Sequence, residues 1–216
     1  MQFKPLREAP LKRTVGVDLA GVESRPTGIC LLKASLEASF FTAYKTSQIL
    51  EAVERFKPEI VGVDAPLNLP GEGNLRPCDR MLIHRGIRVL PPTLGGMRKL
   101  TLRAIELKEK LEGRGFKTLE CFPGAVRILL KLPGKNRPEA TLQSLKKLGL
   151  KFPGGVKPTS HEADAVLTAL TARLHLEGLA EIVGDPETGQ IAIPKPEALQ
   201  WLKTYPRPRL KHRRGR

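Results

Sequence analysis

Thr14-Val15-Gly16-Val17-Asp18-Leu19-Ala20-Gly21 reads as a short buried strand that runs into an acid and then a glycine turn. A second stretch repeats it. Ile60-Val61-Gly62-Val63-Asp64 is again apolar without alternation, as a strand covered on both faces would be. Val-Gly-Val-Asp thus occurs at 15–18 and at 61–64. Between the copies, Gly28-Ile29-Cys30-Leu31-Leu32-Lys33 and Ala38 to Lys45 read as two more strands, joined by tight turns into an antiparallel meander. Ile49, Leu50, Val53 and Phe56 then recur at helical spacing, and Pro58 stops that helix.

Beyond Asp64 the chain is broken by prolines and glycines from Ala65 to Gly96. A stretch so long and so punctuated reads as a lid or binding insertion. Met97 to Glu112 reads as a helix, and Phe116 to Phe122 as a strand holding Glu120. Helical patterns follow at Ala125–Leu132 and Glu139–Leu148. The longest helix spans His161 to Glu177, with Val166, Leu167, Leu170 and Leu174 as its stripe and Ser160 as its N-cap. Ala180–Val183 and Gln190–Ile193 flank a Gly-Asp-Pro turn as a hairpin, and Pro196 to Lys203 forms a short helix. The sum is a mixed α/β sheet: a three-strand antiparallel meander followed by parallel strand–helix units, with a C-terminal hairpin. The expected division is a basic extension at 1–13, one domain at 14–196 with its insertion at 65–96, and a short helix and basic tail at 197–216.

Composition sets the outer limits. The 216 residues are 40% hydrophobic before the 20 glycines are counted, enough for a packed core. No apolar run approaches the ~20 residues a membrane span needs, and no leader with an apolar centre is visible. Three widely separated cysteines, Cys30, Cys78 and Cys121, point to a reducing cytoplasm rather than a disulfide framework. The net charge of +15 is uneven. Residues 203–216 carry +7, residues 1–13 carry +3 and residues 76–103 carry +6, which leaves the remainder at −1. Such blocks are the footprint of a polyanion, and nucleic acid is the expected partner. Arg76, Arg80 and Arg85 are candidate phosphate contacts.

The chemistry lies in the acids. If the first strand pairs in parallel with the fourth, Asp18 and Asp64 stand on neighbours ~4.8 Å apart. Two carboxylates so close repel unless a proton or a cation lies between them. A hard divalent ion with oxygen ligands, Mg²⁺ or Mn²⁺, is the natural answer. Paired ions ~3.5–4 Å apart support phosphoryl-transfer chemistry. Glu120 ends another strand, and Glu162 and Asp164 open the longest helix. His161 shares a face with Asp164, as a general base or neighbour of the site.

These segments, taken in order, resemble a family. Val17-Asp18-Leu19-Ala20-Gly21, Val63-Asp64-Ala65-Pro66-Leu67, Cys78-Asp79-Arg80, Glu120-Cys121-Phe122-Pro123 and His161-Glu162-Ala163-Asp164-Ala165 look like domain-of-unknown-function family 429. So does the ending Gly184-Asp185, Gly189-Gln190-Ile191 and Pro194. Members of that family are described as predicted nucleases of the RNase H-like fold. Over residues 14–194 the resemblance implies an RNase H-like sheet with Asp18, Asp64 and Asp164 as metal ligands and Glu120 as a candidate fourth. Holliday-junction resolvases share this plan, which would favour a homodimer. The leading expectation is a metal-dependent nuclease. The alternatives are a non-catalytic nucleic-acid-binding protein and, for an Asp-x-x-Gly turn such as Asp18–Gly21, a nucleotide phosphotransferase of the actin and sugar-kinase type.

Overall fold

The computed structural model describes residues 12–155 and 157–205. Most of the N-terminal basic block and the tail beyond Tyr205 lie outside the described residues. The chain runs β1 (Thr14–Asp18), β2 (Thr27–Leu32), β3 (Ala38–Ala43), α1 (Thr46–Phe56) and β4 (Ile60–Val63). It continues with α2 (Pro77–His84), α3 (Gly95–Glu112), β5 (Lys117–Glu120), α4 (Pro123–Leu129) and α5 (Pro138–Lys147). It ends with α6 (Ser160–Leu176), β6 (Ala180–Asp185), β7 (Gly189–Pro194) and α7 (Ala198–Thr204). No helix among the described residues is long and apolar enough to cross a membrane.

The central sheet has the order β3-β2-β1-β4-β5. β1 is antiparallel to β2, and β2 to β3, whereas β1, β4 and β5 run parallel. This is the mixed sheet expected from the sequence, an antiparallel three-strand meander joined to parallel strands. β6 and β7 form the expected terminal hairpin, tied to the end of β5 by a bridge between Cys121 and Ala192.

Pleating divides each strand between two faces. On β1, Val15 and Val17 join Val61, Val63 and Ile29 in one cluster, with Ile49 and Val53 of α1 and Ala104 and Leu107 of α3. Thr14, Gly16 and Asp18 therefore point to the other face, where α6 lies. The Thr14 hydroxyl confirms the parity by donating to the Ala169 carbonyl of α6 at 2.8 Å. On that side Ala165, Ala169 and Leu170 of α6 pack with Cys30 and Leu32 beneath and with Val126, Leu145 and Leu202 from α4, α5 and α7 above. The result is three layers with α6 inside one of them. Every residue of α6 from Ala163 to Leu174 is buried, so its apolar character wraps all round. The sequence pattern pointed to a single stripe. It missed the second face because the covering helices come from distant parts of the chain.

Glycine lets α6 lie this close. A Cβ on Gly16 would stand 2.1 Å from the Ala165 carbonyl oxygen, and one on Gly28 would stand 2.1 Å from that of His161. One on Gly62 would stand 2.9 Å from that of Thr168. Three neighbouring strands thus present bare backbone to one helix, and side chains have no room between them.

Two local readings are corrected. The insertion at 65–96, in which the sequence pattern placed no helix, holds α2, with Pro77 in its first turn, and α3 begins at Gly95. Eight residues are too few for helical periodicity to register. The cap of α6 is Thr159, one residue before the expected Ser160. That shift puts Glu162 at the third helical position, where it closes a capping box by accepting from the Thr159 backbone at 2.8 Å.

Gly16→Ala should be among the most damaging single-methyl changes in the chain. Its Cβ meets helix backbone rather than a movable side chain, and overpacking of this kind costs about 1–3 kcal/mol or more. Gly71→Ala, where nothing lies within 4 Å, is the control. Urea denaturation of the two variants checks this: a Gly16→Ala midpoint equal to that of Gly71→Ala would refute the close-contact account.

Candidate metal centre

The same parity that seats α6 assembles the site. Asp18 closes β1 on the α6 face. Val17 and Val63 are paired in register, and the Asp64 backbone N–H donates to the Val17 carbonyl at 2.8 Å. The parallel ladder thus carries one residue past β4 and sets Asp64 beside Asp18. Asp164, in the second turn of α6, comes down from above. One carboxylate oxygen from each of Asp18, Asp64 and Asp164 lies within 4.8 Å of the other two. Asp18 and Asp164 are buried, and Asp64 is half-buried.

Three acids in one place leave an electrostatic signature. Burial, with Asp18 and Asp164 alongside, holds the Asp64 carboxyl well above the ordinary aspartate range. All the donors are hard carboxylate oxygens, which suits a divalent cation of the Mg²⁺ or Mn²⁺ kind. The residues therefore fit the metal role expected of them.

Neighbours set each carboxylate. His161 Nδ1 lies 2.7 Å from Asp18 Oδ2, and that hydrogen bond raises the imidazole pKa. Asp164 is gripped from both sides: Arg127 Nη1 is 2.5 Å from Oδ1, and Lys135 Nζ is 2.7 Å from Oδ2. Arg103 of α3 donates to the Ala20 and Tyr44 carbonyls at 2.7 and 2.8 Å, pinning the turn that follows Asp18. Arg127, Lys135 and Arg103 carry no motif in the sequence. A lone cation within a helix or loop gives no sign of which acid it will meet.

Glu120 does not join the cluster, contrary to expectation. It is paired in register with Val63, so its side chain leaves the sheet on the α1/α3 face rather than the α6 face. There it accepts the Leu67 backbone N–H at 2.8 Å and two bonds from Arg76 at 2.7 and 2.6 Å. Arg76 is also misassigned as a phosphate contact. It is 1% exposed, and its remaining bonds go to Asp79 at 3.0 and 2.8 Å and to Asn68 at 2.8 Å. All five guanidinium donors are used, so none is left for a phosphate. Glu120, Arg76, Asp79 and Asn68 instead staple the segment after Asp64 to the end of β5. Arg85 is exposed but paired with Glu181 at 2.8 Å, whereas Arg80 is exposed without an ion pair among the described residues. Glu162 is spent on its cap and on the Thr42 hydroxyl at 3.0 Å. All three cysteines are free and buried, and burial pushes their thiols up, so none is poised as a thiolate.

The cluster opens into a cavity of about 420 Å³. Asp18, Asp64, His161 and Lys135 lie on its polar side, where the Glu120–Arg76 pair also borders it, and Leu90, Met97 and Leu100 form its apolar side. A slightly larger hollow of about 440 Å³ lies over Leu31, Phe41 and Phe56, but no carboxylates converge there, so size alone does not mark the site.

The model of the family "Protein of unknown function (DUF429)" matches residues 16–188. This chain belongs to that family. Among solved structures, one titled "Thermus thermophilus RuvC structure" is similar over 84% of this chain and 99% of that one, at 19% identity and a TM-score of 0.46. No curated protein matches the chain.

Two substitutions separate the ligand role from the structural one. The folded pKa of Asp64 lies above its unfolded value of about 3.9, so the folded state binds the extra proton. That contribution to stability is therefore lost as pH rises through the raised pKa. In EDTA, Asp64→Asn should melt above wild type, and the gap should widen as pH rises from about 4. Glu120→Gln should melt below wild type, losing about 1–3 kcal/mol because Arg76 is left buried with one carboxylate fewer. Thermal melts between pH 4 and pH 8 test both signs.

Proposed function

We propose that this protein is a divalent-metal-dependent nuclease that hydrolyses phosphodiester bonds in nucleic acid. The observation that supports it most strongly is the meeting of Asp18, Asp64 and Asp164 at the carboxyl ends of parallel strands β1 and β4. Ligand sites of open α/β sheets sit at this edge. These three residues would hold the cation. When bound, Mg²⁺ or Mn²⁺ supplies an activated water and neutralises charge on the phosphate.

The chain's own groups then divide the work. His161 orients Asp18 through its hydrogen bond. Arg127, buried behind Asp164, fixes that carboxylate in place. Arg88 lies on the cavity wall beside the acids, where it can meet a phosphate oxygen, and Arg80 lies exposed in the same insertion. The Glu120–Arg76 staple holds the insertion over the acids without touching the reacting atoms. The insertion and α3 supply the rest of the cavity wall, which limits access of water and substrate from one side.

The direct test uses labelled duplex, four-way-junction and single-stranded DNA and RNA with Mg²⁺, Mn²⁺ or EDTA. Cleavage should require the metal. It should fall by about 100-fold or more in Asp18→Asn, since even an outer partner of a metal ligand is worth 10–100-fold. Cleavage that survives EDTA and Asp18→Asn would rule the reading out. Salt-sensitive binding without cleavage would leave a non-catalytic binding protein in its place.

A further inference from the structure

The two cations on Asp164 are not equivalent. Arg127 belongs to α4, has a side chain only 9% exposed, and keeps its Nε and Nη2 buried without a hydrogen-bond partner. It is walled in and cannot retreat. Lys135 lies in the segment between α4 and α5, and its side chain is 59% exposed although its ammonium touches a carboxylate that is 2% exposed. It reaches in from solvent over the open mouth of the cluster and lines the cavity with Asp18 and Asp64. With Arg127 on Oδ1 and Lys135 on Oδ2, neither oxygen of Asp164 is free of a cation.

We propose that Lys135 is a built-in counter-cation of the carboxylate cluster: it occupies Asp164 until a divalent ion arrives, gives up that oxygen, and then offers its ammonium to the phosphate of the substrate. This rests on the nuclease reading and adds to it a residue that meets first the carboxylate and then the substrate. Three carboxylates in a half-buried site need positive charge, and an ammonium on a flexible four-carbon stem supplies it reversibly. A guanidinium locked behind the same carboxylate cannot. The oxygen that an incoming ion can claim is therefore the one that Lys135 holds. Displaced by a few ångströms, the ammonium remains beside the ion, where a phosphodiester oxygen would bring its own negative charge.

A competitor and a helper predict opposite effects on metal affinity. If Lys135 merely steadied Asp164, its removal would weaken metal binding. If it competes, removal tightens it. The probe is Mn²⁺ alone, titrated into the full-length protein at low ionic strength and followed by calorimetry and by electron paramagnetic resonance. Lys135→Met should bind Mn²⁺ about 5-fold more tightly than wild type, a size expected for one partly exposed ion pair. Lys135→Arg should stay near wild type. Asp164 keeps Arg127 as a partner in both variants, and circular dichroism verifies that both are folded. Unchanged or weaker Mn²⁺ binding by Lys135→Met overturns the proposal and leaves the nuclease reading standing. A wild-type protein that binds no Mn²⁺ overturns both. The second half is read with Ca²⁺ as the ion and a labelled DNA strand as the probe. Lys135→Met should bind the strand several-fold more weakly than wild type in Ca²⁺ and equally in EDTA. Equal binding in Ca²⁺ overturns that half.

Discussion

The contact on which the molecule depends is backbone against backbone: α6 lying on Gly16, Gly28 and Gly62 with no side chains between. Helices usually stand off a sheet by the thickness of two side-chain layers. Here that layer is missing at one spot, and the spot sits just before the carboxyl ends of β1 and β4. Lowering α6 brings His161 and Asp164 into reach of acids that would otherwise face a gap. Asp18, at 5% exposure, and Asp164, at 1%, are acids set where burial disfavours charge. Their burial is tolerable because His161, Arg127 and Lys135 stand against them. The packing and the charge arrangement have one geometric origin.

The pleat then selects among the acids. Asp18 and Asp64 each stand two residues after a glycine that faces α6, so they share its face. Glu120 is in register with Val63 and lies on the opposite face. One residue of register separates a member of the carboxylate cluster from a structural anchor. Sequence position alone treated Glu120 as the equal of the two aspartates, since all three end a strand. What set it apart was a pairing that only the folded sheet displays.

Much of the architecture was legible in the sequence. The repeated Val-Gly-Val-Asp pointed to two buried strands side by side, and the meander, the crossover helices and the hairpin followed from period and turn residues. Asp18 and Asp64 were legible for the same reason, Asp164 was a candidate ligand only through the family resemblance, and the structure brings the three together. The glycines of those two copies were read only as strand residues, although they set the distance on which the site depends. Long-range partners were hidden throughout. Arg76 with Glu120 spans 44 residues and Arg127 with Asp164 spans 37, and neither pairing leaves a trace in local pattern.

The basic stretch at 76–103 shows how charge counted along a chain differs from charge presented to a ligand. Of its seven cations, Arg76 and Arg103 are buried and bound to the protein's own oxygens, and Arg85 is neutralised by Glu181. Arg80, Arg88, Arg98 and Lys99 remain exposed. The buried ones do the work of cross-links: a guanidinium with five donors can tie a loop to a strand end in a way that no apolar side chain can. That rigidity has a use at this position, because Arg76 fastens the insertion that walls the cavity and Arg103 fastens the turn after Asp18. Arg88 is the exposed member that also lines the cavity, so its charge falls where a phosphate would have to pass to reach Asp18 and Asp64. The other three spread outward from that point along α2 and α3. A polyanion drawn to the surface by them would be led toward the acids, and close to the carboxylate cluster Arg88 and Lys135 would be the cations it meets.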